Sequence, residues 1–263
     1  MLVPSRISWF FVFGLAMCWL IVIFVDMLNF AGLGEQLIEM AARDGSAFVM
    51  LFGEARPVEW MQWLALGGAI MLASQVSLLK KQHSESSGAK FAFWMAILFI
   101  VLLMEDAGNL RHSISDVIVA SGIPQPLFSN FYRMLVYVVY AAIPMYAILF
   151  HGRQVLSWKR NNIIFWSAVL AYAFASIMSV SAPLGNWYET VGASINDMFF
   201  GGRVAYELLS FDSGYWIMDY LIEESIELVG ATLFFTYFAQ LRMEIEERDV
   251  ANTNSVVSSH SEV

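Results

Sequence analysis

The stretch IMDYLIEESIELVGATLFFTY, residues 217–237, sets four carboxylic acids, Asp219, Glu223, Glu224 and Glu227, in a run that is otherwise soluble in hydrocarbon. Its length suits a membrane span, since about 20 residues at 1.5 Å each cover the ~30 Å hydrocarbon core. A carboxylate at the bilayer centre costs about 2.5 to 3.5 kcal/mol on insertion scales, so several cannot face lipid. They must point into a bundle, and the rest of the chain must supply it.

The composition agrees. Of 263 residues, 59% are hydrophobic, 15% aromatic and only 14% charged, an apolar content beyond what a soluble domain needs. Apolar windows predict spans at 8–30, 59–79, 91–110, 131–151, 162–182 and 216–240. The expected fold is an all-α integral membrane protein, a six-transmembrane-helix bundle over residues 1–249. Residues 250–263, polar and ending in NTNSVVSSHSEV, are expected as a disordered cytoplasmic tail. The first apolar run lacks a small-residue cleavage signal and reads as an anchor that stays. Cys18, the one cysteine, excludes an intramolecular disulfide and paired-thiol chemistry.

Charge sets an orientation. Arg6, Lys80, Lys81, Lys90, Arg153, Lys159, Arg160, Arg242 and Arg248 fall on one side of this topology, every lysine included. The positive-inside rule then puts both termini in the cytoplasm of a cell inner or plasma membrane. Short amphipathic helices are expected in the outer loops. GLGEQLIEMAARDG carries Leu33, Leu37, Met40 and Ala41 at helical spacing; HSISDVIVASGIPQP begins a brief helix at Ser113 or Ser115; and GNWYETVGASINDMFFGGRVAYELLSFDSGYW is long and apolar enough to fold onto the bundle mouth. Trp60, Trp63, Trp94, Trp158, Trp187 and Trp216 lie near span ends and read as interfacial anchors.

Within the spans, Asp219, Glu223 and Glu227 form a stripe about 80° wide at 100° per residue, with Gly230 on it and Glu224 facing elsewhere. The same count puts Glu105, Asn109 and His112 on one face of span three, with Asp106 beside them. Asp26, at the end of span one, and Ser176, Ser179 and Ser181 of span five reach the same depth. Arg111 and Arg133 are the cations placed to balance this charge. Burial and mutual repulsion both disfavour crowded carboxylates, so the site must take up protons, bind a cation or admit water. Were a metal to bind through Glu105, His112, Glu223 and Glu227, the oxygen-rich set would favour a hard divalent cation.

Other chemistries are excluded by what is missing. No lysine lies within a predicted span to form a retinal Schiff base, and no two histidines share a depth to ligate haem. The motifs HExxH, GxxxxGK[ST] and GxSxG are absent, and an acidic chain with dispersed cations does not bind nucleic acid. The expected function is cation or proton binding in an acidic, outward-open intramembrane cavity, for transport or conduction. Two alternatives stand beside it. One is a non-catalytic subunit or scaffold, a homo-oligomer or part of a membrane complex, that packs through Gly67, Gly68, Ser176 and Ser179. The other is an outer-leaflet membrane enzyme using His112 and carboxylates.

Overall fold

The computed structural model describes residues 4–41, 46–108, 127–152, 160–204 and 212–260, and among them the chain is helical with short connections and no strand. In chain order the α-helices are α1 (Pro4–Val22), α2 (Leu33–Ala41), α3 (Ala47–Phe52), α4 (Pro57–Gln82), α5 (Ser86–Gly108), α6 (Leu127–Tyr146), α7 (Arg160–Ser181), α8 (Trp187–Ile195), α9 (Ser213–Trp216) and α10 (Glu224–His260). π-helical turns extend α1 over Ile23–Met27, α6 over Ala147–Gly152 and α8 over Asn196–Phe200, and another, Ile217–Glu223, leads from α9 into α10.

Among the described residues five stretches are long and apolar enough to cross a membrane: Arg6–Met27, Ala47–Gln82, Ser86–Gly108, Leu135–Gly152 and Asn162–Ser181. They mark a membrane protein and match the first five expected spans. The sixth expected span is not among them, because Glu224, Glu227, Gln240 and Arg242 dilute the apolar character of α10. The polar segment expected as a disordered tail instead continues α10 to His260.

α10 nevertheless lies at the centre of the packing. Against α1 it runs antiparallel: Trp19 donates to Ser225 at 3.0 Å and Ser8 meets Thr236 at 2.7 Å, 11 residues on along both helices. Beside α4 it runs parallel, since Gln62 pairs with Glu227, Gln75 with Arg242 (2.8 Å) and His83 with Asp249 (3.2 Å). With α7 it is antiparallel again. Ser179 bonds Glu223, Tyr172 packs on Gly230 and the ring of Phe165 lies 5.0 Å from that of Tyr237, steps of two helical turns that keep one face of each helix in contact.

Local chemistry sets the helix ends. Pro57 occupies the first turn of α4, where its missing N–H costs nothing. At the other end Ser84, at φ 61°, turns the chain into α5. Fully buried Ala65, Ala69 and Ala73 give α4 a smooth face against its neighbours, and Gly68 admits the ring of Phe235. Below that contact Phe91 and Phe99 of α5, Phe165 of α7 and Phe234 and Phe238 of α10 form an aromatic core with centroids 4.9 to 6.4 Å apart. At one end of this core α4, α5, α7 and α10 bring together Gln62, Asp106, Tyr172, Glu224 and Glu227.

Two outer-loop expectations meet the described residues. GLGEQLIEMAARDG does form a helix over Leu33–Ala41, entered through Asn29, whose side chain accepts from Gly34 N–H at 2.9 Å. The long connection folds back through α8 and α9, and the chains meet so closely at Gly192 and Gly214 that a Cβ on Gly192 would sit 1.8 Å from the Gly214 carbonyl oxygen. The helix expected from Ser113 or Ser115 lies outside the described residues. Trp216, expected as an interfacial anchor, is buried, with its ring 4.8 Å from that of Tyr220.

Candidate functional site: a buried carboxyl layer

α4 contributes Glu59 and Gln62, three residues apart and so on one face of its first turns. The Glu59 carboxylate accepts the Ala55 N–H and closes the turn before the helix. Gln62 has no solvent exposure. Its amide nitrogen donates to Asp106 Oδ2 of α5 and, at 2.9 Å, to Glu227 Oε2 of α10. One side chain thereby uses both N–H groups to join carboxyls from two other helices. Its carbonyl oxygen, Oε1, is buried and accepts no hydrogen bond among the described residues.

Glu224 enters the same layer. Its Oε2 is buried with no hydrogen-bond partner among the described residues, and the groups it feels electrostatically are Glu227, Asp106, Glu59 and Asp219. Tyr172 of α7 adds a buried hydroxyl, likewise without a described partner, within electrostatic reach of Asp106, Glu227 and Glu224. Gly230 makes room for it, because a Cβ there would lie 2.7 Å from the tyrosine ring.

Glu223 faces the other flank. It is 8% exposed, accepts from Tyr188 of α8 at 2.8 Å and is hydrogen-bonded by Ser179 of α7, whose hydroxyl also accepts from Tyr137 of α6 at 2.7 Å. Burial, then the Glu223 charge, hold the Tyr188 phenol above its ordinary range, so it remains a donor. Glu227 interacts electrostatically with both Glu223 and Glu224 and ties the two flanks together.

Glu223 keeps Asp219 and Glu227 of the expected stripe as its charged neighbours, and the packed helices supply the partners of Glu224. On an α-helix Glu227 stands between Glu223 and Glu224, about 40° from one and 60° from the other. Glu224, expected to face elsewhere, is the residue that turns toward α4 and α5, while Glu223 turns toward α7 and α8. The Ile217–Glu223 π turn also breaks the 100° step on which the position of Asp219 rested.

Glu105 and Asp106 diverge as neighbours on a helix must: Asp106 joins Gln62, whereas Glu105 accepts from Tyr140 of α6 at 2.8 Å. Asp26 belongs to neither flank. It caps α3, accepting from the N–H groups of Ala47 and Phe48 at 2.9 and 2.8 Å, and Arg203 bonds the backbone beside it. Ser181 bonds the Ile177 carbonyl of its own helix at 2.6 Å. Asn109, Arg111 and His112 lie outside the described residues, as does the side chain of Arg133 on α6.

Of the proposed metal set, Glu105 meets Tyr140, Glu223 meets Tyr188 and Glu227 meets Gln62, while the fourth member, His112, lies outside the described residues. No three His, Cys, Asp or Glu side chains among the described residues converge as a metal centre.

Sequence reasoning missed Glu59, Gln62, Tyr140, Tyr172 and Tyr188. For Glu59 and Gln62 a signal existed, two polar residues three apart in an apolar window. Tyrosine within an apolar span carries no such signal, because the ring is equally at home in a core. The chain finds no match among protein-family models, curated proteins or solved structures.

Proposed function

We propose that this chain is a six-helix protein of the inner or plasma membrane, with both termini cytoplasmic and α10 as its sixth span, that binds a cation or protons in the buried carboxyl layer and uses them in transport or conduction. The observation that carries this reading is Gln62, wholly buried and joined to both Asp106 and Glu227. Helix packing alone gains little from several acids in one low-dielectric layer, where each adds to the repulsion felt by the next. A site that loads and releases positive charge turns that repulsion into binding.

The test is flux in proteoliposomes under an imposed pH or cation gradient, with wild type compared against Asp106→Asn, Glu224→Gln and Glu227→Gln. Each substitution keeps the shape and removes a titratable group, and at least a tenfold loss of flux is expected. Wild-type flux in all three would remove the layer from the function.

One observation favours the scaffold reading. Trp60, Leu64, Met71 and Leu78 form an exposed stripe along α4 with half-buried Gly67 on it, and nothing lies within 4 Å of a Cβ built on Gly67. Such a notch fits a helix of a second chain. Gly68 and Ser179, expected to serve the same interface, are instead used inside the chain, against Phe235 and Tyr137.

A further inference from the structure

The ligand of this layer can be named more closely, an inference that rests on the reading above. We propose that it is a proton, carried on the Glu224 carboxyl within the network that Gln62 joins.

Three polar groups in this layer lack hydrogen bonds among the described residues. Gln62 Oε1, Glu224 Oε2 and the Tyr172 hydroxyl are buried and without hydrogen bonds among the described residues, and the Tyr172 and Glu224 groups interact electrostatically with the same two acids that Gln62 joins. Against two unmet acceptors, the amide and carboxylate oxygens, stands one unused donor, the Tyr172 O–H, so the inventory is one donor short. A carboxylate that takes one proton from bulk water becomes neutral and gains an O–H donor. It removes a charge and fills a donor vacancy in the same step.

The acids of the layer differ in the donors that reach them. Asp106 has the Gln62 amide and Glu223 has the Tyr188 and Ser179 hydroxyls, hydrogen bonds that support an ionised carboxylate. Glu224 is faced by Glu59 of α4, Asp106 of α5, Tyr172 of α7, and Asp219 and Glu227 of its own chain segment. Its Oε2 receives no hydrogen bond among the described residues, and a proton there would supply the donor that the network lacks.

A proton and a metal ion make different demands on a site. A hard cation needs several oxygens converging at bonding distance, and no three carboxyl-bearing side chains among the described residues do so. A proton needs only one oxygen.

Infrared difference spectroscopy on the full chain in proteoliposomes tests this. The wild-type-minus-Glu224→Gln difference should contain the C=O stretch of a protonated carboxylic acid, downshifted in D2O. In Gln62→Leu that band should move as its hydrogen bonding changes. On wild type alone, which needs no variant to fold, the band should survive saturating Na⁺ or Ca²⁺ at constant pH. A difference spectrum without the band, or its loss on adding either cation at constant pH, would overturn the proposal, the latter making the cation the ligand. The band without flux would keep the proton site and sink transport; flux without the band would do the reverse.

Discussion

Glu223 shows how an acid is held inside an apolar bundle. Tyr188 reaches it from a loop helix and Ser179 from α7, so its position depends on two hydroxyls from different elements. Hydrogen bonds to charged groups contribute about 1.5 to 3 kcal/mol. Tyr188→Phe should therefore lower the unfolding temperature in detergent, whereas in a Glu223→Gln background the same change should cost about half as much. A double-mutant cycle with no coupling would show that the contact does not support the fold. Glu85, in the turn between α4 and α5, makes a second residue-level case. Lys80, buried along its stem, donates to Glu85 at 2.5 Å and holds that carboxyl below its ordinary value of about 4.3. A lowered folded-state value means the folded protein binds fewer protons here, so the stabilisation is complete above about pH 4.3 and fades as pH falls through the folded value. With Glu85 half exposed, the effect is modest. Glu85→Gln should flatten the acid limb of a stability-against-pH curve, and an unchanged limb would refute the assignment.

Adjacent glycines on α4 separate packing from propensity. A Cβ on Gly68 would lie 2.7 Å from the Phe235 ring, while one on Gly67 meets nothing within 4 Å. Gly68→Ala should destabilise by about 1 to 3 kcal/mol through overpacking. Gly67→Ala should be neutral or stabilising by up to about 1 kcal/mol, since alanine is the better helix former. Thermal unfolding of the two variants checks both signs, and if Gly67→Ala instead disrupts an oligomer on size exclusion, the α4 stripe is an interface between chains. These elements also show what the sequence could reveal. Apolar run length located α1, α4, α5, α6 and α7, because hydrocarbon thickness is the same constraint for each. The acids of α10 could be placed on a helix but not assigned neighbours: which flank Glu223 or Glu224 faces depends on the π turn before them and on α4 and α7 packing to either side. Partner identity is a property of the packed bundle, and Gln62, an uncharged residue on another helix, drew no notice until α10 lay beside it.

At the level of the whole molecule, the directions of the helices make the topology testable. α10 has 37 residues, about 56 Å of helix, well beyond a ~30 Å hydrocarbon core. Its contacts fix which ends share a side. Thr236 meets Ser8 near the start of α1, and Asp249 meets His83 at the turn after α4, so the start of α1, the α4–α5 turn and the far part of α10 lie together. Tyr188 on Glu223, and Arg203 on the backbone of Asp26 and Met27, gather the opposite end. An odd number of crossings would leave the chain's two ends on opposite faces of the membrane; the six crossings proposed above would return them to the same face, in keeping with these contacts. In a Cys18→Ser background, a membrane-impermeant maleimide applied to intact cells should label Leu184→Cys and leave Ser86→Cys and Glu247→Cys unlabelled until the membrane is opened. All three positions are exposed, so accessibility reports sidedness rather than burial. If Glu247→Cys were labelled from the same side as Leu184→Cys, α10 would not cross, its carboxyls would sit outside the bilayer, and the intramembrane site would go with them.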